Sequence, residues 1–197
     1  MLRIDRYNCR MAPLCGLSDL RPLSIFRLFM PNYRRNRVLG GTYFFTVNLR
    51  DRKSQLLVQK VDLLREVVKK VRQGQPFHID AWVVLPNHLH CVWTLPPGDA
   101  DYSSRWQKIK KMFSRKISAT AILFETQTRN NEWGIWQHRY WEHTIRDERD
   151  YENHVDYCHI NPLKHGLVTT VRDWPFSTFH RYVQEGIYPL DWGDEQK

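Results

Sequence analysis

Leu85-Pro86-Asn87-His88-Leu89-His90-Cys91-Val92-Trp93 is the stretch on which the reading of this chain turns. Pro86-Asn87 is a turn dipeptide between two alternating apolar runs, 77–85 and 88–95, so the flanking segments are expected to pair as a hairpin. Side chains in a strand point to alternate faces. Leu89, Cys91, Trp93 and Leu95 therefore share one face, while His88, His90, Val92 and Thr94 share the other. Two imidazoles on one face can clamp a divalent metal if both are neutral and a third ligand arrives from elsewhere. Taken alone, the pair reads more readily as a strand end with two surface histidines, because so short a motif occurs often by chance.

The flanking sequence supplies a fold. Thr42-Tyr43-Phe44-Phe45-Thr46-Val47-Asn48-Leu49, released by Gly40-Gly41, is rich in β-branched and aromatic residues and predicts a first strand. Val61, Leu64, Val67, Val68 and Val71 recur at three and four, which predicts an amphipathic helix over 60–73 that Gly74 stops. A second helix is expected over 102–119, with Trp106, Ile109, Met112, Phe113 and Ile117 inward and Arg105, Lys108, Lys110, Lys111, Arg115 and Lys116 outward. The stretch 135–145 predicts a fourth strand. Asp147 is placed to cap a helix running to Ile160, which Asn161-Pro162 should end. The order β-α-β-β-α-β and then a helix is an α+β, ferredoxin-like split βαβ fold. It has a four-stranded antiparallel sheet, two helices on one face, a C-terminal helix and an extended tail.

Composition bounds the rest. A chain of 197 residues and 23.8 kDa fits one domain with appendages, and a hydrophobic share of 42% excludes wholesale disorder. We expect an extension over 1–30, the domain proper over 31–168, and a tail over 169–197 that packs on or flanks it. A net charge of +9 together with eight tryptophans favours a nucleic-acid partner, since phosphates meet Lys and Arg while bases stack on rings. No apolar run approaches the roughly twenty residues of a membrane span, and Arg3, Asp5, Arg6 and Arg10 interrupt any secretory core. Cys9, Cys15, Cys91 and Cys158 have no paired spacing, which suits reduced thiols. These features predict a cytoplasmic, nucleoid-associated protein.

The expected last helix offers what the histidine pair lacks. Tyr157 and Asn161 are four apart and project from one helical face, with His154 a turn earlier. An amide oxygen can serve a hard metal, and a phenol can attack a phosphorus held beside it. With His88, His90 and Asn161 around a cation, Tyr157 would form a covalent phosphotyrosine that keeps the bond energy for rejoining. On its own Tyr157 also reads as a packing aromatic.

The pairing of Pro86-Asn87-His88-Leu89-His90 with Tyr157-x-x-x-Asn161-Pro162 resembles the signature of single-tyrosine HUH transposases. Ile135-Trp136-Gln137, Asn161-Pro162-Leu163-Lys164-His165-Gly166, the Tyr33-Arg34-Arg35 lead-in and Trp174-Pro175-Phe176-Ser177-Thr178 are similar to the REP-associated tyrosine transposase branch, over about residues 31–192. The resemblance implies a metal-dependent single-stranded DNA endonuclease and strand-transferase that acts at imperfect palindromic hairpins through a 5'-phosphotyrosine. It implies Tyr157 as nucleophile and His88 and His90 as ligands of Mg²⁺ or Mn²⁺. Asn161 stands where insertion-sequence relatives carry glutamine, and it is assigned as the third ligand; His154 is assigned a supporting place. Charge and position nominate Arg34, Arg35 and Arg37 for a flanking tetranucleotide, and Lys108, Lys110, Lys111 and Arg115 for hairpin phosphates. Monomer and homodimer both remain open. A His-metal phosphoesterase using water, and a catalytically silent hairpin-binding protein, are the alternatives.

Overall fold

A computed structural model describes residues 35–121 and 134–194. The expected extension over 1–30 and Arg34 lie outside the described residues. The elements are β1 (Thr42–Asn48), α1 (Leu56–Gln59), α2 (Val61–Gly74), β2 (His78–Val84), β3 (His88–Thr94), α3 (Tyr102–Ala121), β4 (Trp141–Thr144), α4 (Glu148–Lys164), a 3-10 turn at Val171–Asp173, and α5 (Phe179–Gln184). The sheet order is β2-β3-β1-β4 with every neighbour antiparallel, which is the expected split βαβ arrangement.

Alternation sorts the sheet into two faces with different jobs. Tyr43, Phe45, Val47, Leu89, Cys91 and Trp93 pack against α2 and α3 in the larger core. Trp93 and Trp106 stack there with centroids 4.3 Å apart and planes at 13°. Aromatic pairs of this kind add about 0.5–1.5 kcal/mol beyond their burial. The reverse face carries Phe44, Ala81, Val83 and Val92, against which Val155 and Cys158 of α4 are buried. Cys91 and Cys158 are free and buried. Among the described residues no helix is long and apolar enough to cross a membrane.

Three expectations are corrected. The fourth strand covers only Trp141–Thr144, because Trp136 makes a single bridge to Leu49 and its ring is buried in the larger core. The last helix continues through Pro162 to Lys164. Proline there deletes one hydrogen bond, to the Cys158 carbonyl, near an end where the backbone can regroup. His165 N–H reaches the Asn161 carbonyl and Leu167 N–H the Pro162 carbonyl. Arg105 is not on the solvent face of α3. It is buried, donating to the Asp99 carboxylate at 2.6 Å and to the carbonyls of Pro76, Asp101 and Gln75.

The expected cap is present: the Asp147 side chain accepts from Asp150 N–H. The tail closes the β2 edge. Val84 N–H donates to the Phe176 carbonyl, Ser177 bridges Val83, and the Trp174 indole donates to the Val84 carbonyl. Covering an open strand edge removes a template for unwanted pairing.

Candidate active site

His88 and His90 emerge from β3 on the sheet face that α4 crosses, with ring centroids 5.0 Å apart. Asn87 Oδ1 is 2.6 Å from His88 Nδ1. An amide oxygen only accepts, so Nδ1 carries the proton and Nε2 keeps its lone pair. His90 is 4% exposed; its Nδ1 meets Thr46 Oγ1 at 2.9 Å across the β1–β3 pairing. Burial pushes the His88 imidazole down to about 4, with His165 and Arg52 nearby adding to the effect. Burial, then His88 and His165, hold His90 well below the ordinary range, while the adjoining Asn161 amide acts in the opposite direction. Both rings are therefore neutral at pH 7, the state a metal ligand needs.

Register brings α4 over this pair. The Tyr157 ring lies 5.2 Å from that of His90 and 5.8 Å from Phe44. One turn on, Asn161 is 1% exposed and its Nδ2 donates to the Tyr157 carbonyl at 3.2 Å. That bond fixes the amide so that Oδ1 is the free end. Among the described residues, His90 Nε2 and Asn161 Oδ1 are both buried without a hydrogen-bond partner. An unpaired buried polar atom costs about 1–3 kcal/mol. Two buried polar atoms without a partner, beside a second neutral imidazole, form a set of ligand atoms that suits a divalent cation.

The structure thus gathers His88, His90, Tyr157 and Asn161 in one place. Two further residues join them. The His165 ring is 5.1 Å from that of His88, and the Lys164 ammonium lies over the Tyr157 ring, 5.3 Å from its centroid. The signal for His165 was present in the sequence, since it follows Tyr157 and Asn161 at the same interval of four, just past the helix end.

His154 sits beside the group rather than in it. Its ring is 4.8 Å from Phe44 and stacks on His143 at 4.6 Å and 15°. Asp150 joins the two: His143 Nε2 is 2.8 Å from its carboxylate, and His154 Nδ1 lies 3.1 Å from the carboxylate and 2.7 Å from the Asp150 carbonyl. Burial raises the Asp150 carboxyl, but the hydrogen bonds from His143 and Arg146 outweigh it and leave the group ionised below its usual range. Among the described residues, His143, Asp150 and His154 are the set of three His, Cys, Asp or Glu ligand atoms found within 4.8 Å of one another. Arg146 also donates to this carboxylate through its backbone N–H and Nε, which makes the cluster a brace for the start of α4.

The basic candidates lie elsewhere. Lys108, Lys111 and Arg115 are exposed on α3, across the sheet from Tyr157. Lys110 turns inward, donating to the Gln137 carbonyl and lying over Tyr140. Arg35 and Arg37 are exposed ahead of β1. Asn36 is tied to β4 by a 3.0 Å bond to Thr144 Oγ1, and its carbonyl accepts from the Tyr102 hydroxyl.

A split βαβ sheet with a histidine pair on the face that a tyrosine-bearing helix crosses is the layout of a tyrosine-dependent transposase of the HUH class. Residues 29–161 match the family described as "Transposase IS200 like", and the chain belongs to that family, in its REP-associated tyrosine transposase branch. The REP-associated tyrosine transposase of Escherichia coli (strain K12) is 53% identical over 84% of this chain and 93% of its own length. A relative in Haemophilus influenzae bearing the same family name is 43% identical over 83% of this chain and 94% of its own. A solved structure of a REP-associated tyrosine transposase bound to a REP hairpin superposes with a TM-score of 0.75, at 52% identity, over 85% of this chain and 94% of that one.

Proposed function

We propose that this transposase nicks and rejoins single-stranded DNA beside REP-like palindromic hairpins, with Tyr157 as nucleophile. The observation that carries the reading is the Tyr157 ring standing edge-on to His90, 5.2 Å away, beside two buried polar atoms without a hydrogen-bond partner. His88, His90 and Asn161 would hold a Mg²⁺ or Mn²⁺ ion, with His165 next to them. Such an ion, when bound, neutralises phosphate charge and polarises the phosphoryl group.

The chain's own residues do the rest. Asn161 anchors to the Tyr157 carbonyl, fixing the amide oxygen and the helix turn that carries the phenol. Thr46 orients His90 from the neighbouring strand. The Tyr157 oxygen gives up its proton and bonds to the scissile phosphorus as the bond from phosphorus to the 3'-oxygen breaks. That oxygen takes a proton and leaves as a free 3'-hydroxyl. The 5'-phosphate stays on Tyr157, and attack by a 3'-hydroxyl reverses the step with no external energy source. Lys164, over the Tyr157 ring, holds a positive charge beside the phosphate that the phenol attacks. Hairpin contacts are assigned to the exposed Lys108, Lys111 and Arg115, with Lys110 supporting them, and single-strand contacts to Arg34, Arg35 and Arg37.

A denaturing gel tests this reading. Protein is mixed with end-labelled hairpin DNA and Mn²⁺, beside Tyr157→Phe and a chelator control. A slow covalent band lost in both controls is expected. Cleavage that survives Tyr157→Phe means water is the nucleophile and a phosphoesterase is at work; binding without cleavage under any metal leaves a hairpin-binding protein.

A further inference from the structure

Trp141 is the single aromatic side chain among the large hydrophobic residues exposed in the described part of the molecule, at 53%. A tryptophan so open at the edge of a sheet has much of its ring face available to a partner. Trp141 starts β4, opposite Thr46 of β1, and Thr46 in turn lies opposite His90 of β3. The three residues form a row on one face of the sheet. Adjacent strands are about 4.8 Å apart, so the Trp141 backbone is roughly 10 Å from that of His90.

The ring is braced from within. It stacks on His143 at 5.9 Å and 7°, and His143 stacks on His154 at 4.6 Å and 15°. The edge of Phe44 meets it at 5.6 Å, and Phe44 also touches Tyr157 and His90. Asp150 ties both histidines together, so the column beneath Trp141 is held by hydrogen bonds as well as by contact. Two arginines lie near it in sequence. Arg139 is exposed two residues before it, and the Arg146 side chain beyond β4 is 75% exposed.

We infer that Trp141 is a stacking platform for one unpaired base of the DNA strand whose phosphate is presented to Tyr157. The inference rests on the reading of Tyr157 as a nucleophile for single-stranded DNA, and it adds a base-binding position to that site. A nucleobase fits the feature better than an apolar protein partner. The platform is one ring wide, arginines flank it, and it stands beside the nucleophile on the same face. Flat rings with nearby cations bind single strands in this way with little sequence demand. The rigid column matters because a ring already held in place loses little freedom when a base lands on it.

The test compares wild type, Trp141→Ala and Trp141→Phe by fluorescence anisotropy. The probes are the hairpin DNA of the solved relative with an unpaired tetranucleotide flank, the same hairpin without the flank, and flanked probes with one abasic position each. Trp141→Ala is expected to weaken binding of the flanked probe about 5- to 100-fold and to leave the flank-free probe unchanged. Trp141→Phe should restore most of the loss. One abasic position should cost the wild type the same factor and cost Trp141→Ala nothing further, which a merely structural tryptophan would not produce. Unchanged affinity in Trp141→Ala, or equal loss on both hairpins with a lowered melting temperature, overturns the platform while a Tyr157 adduct in wild type leaves the reaction intact. A wild type that neither binds nor cleaves these probes removes the reaction reading, and the platform with it.

Discussion

The Tyr157 ring meets that of His90 edge-on, with centroids 5.2 Å apart and planes at 74°. One residue comes from a central strand and the other from a helix 67 positions later in the numbering. Each is fixed from behind: His90 by Thr46, and the Tyr157 turn by Asn161. Several outcomes follow from how that contact is supported.

Thr46 bonds to neither His90 Nε2 nor Asn161 Oδ1, yet through His90 Nδ1 it orients that ring. Outer partners of ligating histidines contribute about 10- to 100-fold to metal affinity. We predict that Thr46→Val lowers Mn²⁺ affinity by that order, measured by electron paramagnetic resonance titration, without unfolding the chain. Asn161→Ala should lose at least as much. Wild-type Mn²⁺ affinity in both variants would rule out this ligand set.

Lys164 stands over the Tyr157 ring at 5.3 Å. An interaction of this kind contributes about 0.5–2 kcal/mol, which corresponds to roughly a 2- to 30-fold change in rate. Lys164→Gln is predicted to slow single-turnover adduct formation within that range, while Lys164→Arg recovers part of the loss. A rate identical to wild type at saturating DNA would show that the lysine is incidental to the chemistry.

Arg105 is 1% exposed and joins the Asp99 side chain to three backbone carbonyls between α2 and α3. The Asp99 carboxylate is partly exposed and can hydrate, but buried carbonyls left without their donor cost about 1–3 kcal/mol. Arg105→Ala should therefore destabilise the fold by that order in urea titrations. A loss under 1 kcal/mol would mean that water reaches the carbonyls freely. In contrast, Lys108→Ala on the exposed side of the same helix should leave stability nearly unchanged.

His159 is fully buried among Phe179, Tyr182, Tyr188 and Trp192, with Nε2 on Thr178. Burial, with Arg181 and His180 nearby, pushes its titration down to about 3. An unfolded chain takes up this proton near pH 6.5, so between those values the unfolded state binds more protons. Stability is then fully present above about pH 6.5 and falls as pH drops toward 3. At pH 4.5 the loss from this residue is about 2–3 kcal/mol. Urea unfolding at pH 7.5 and 4.5 should show a smaller acid loss in His159→Phe; parallel losses would mean that the ring titrates normally inside the fold.

The sequence alone determined the architecture, because periodicity reports which face of an element is buried. The alternation through 88–95 placed Leu89, Cys91 and Trp93 in the larger core and His88 and His90 on the reverse face, and the structure agrees. Asp147 was legible as a cap, and the three-and-four spacing of valines as α2. Alternation paired His88 with His90 and the helical repeat paired Tyr157 with Asn161, since both are local rules, whereas the meeting of the two pairs was implied by the family resemblance.

Tertiary structure decided what depends on register and on paired elements. Only strand pairing sets Thr46 against His90 and Trp141 in the same row, since a one-residue slip would send each to the other face. Arg105 read as solvated because its partners come from the ends of α2 and the loop before α3, which no helical count reveals. Pro162 read as a helix stop because local sterics disfavour continuation. The helix continues because α4 is anchored on the sheet, where packing contributes more than a single lost hydrogen bond costs.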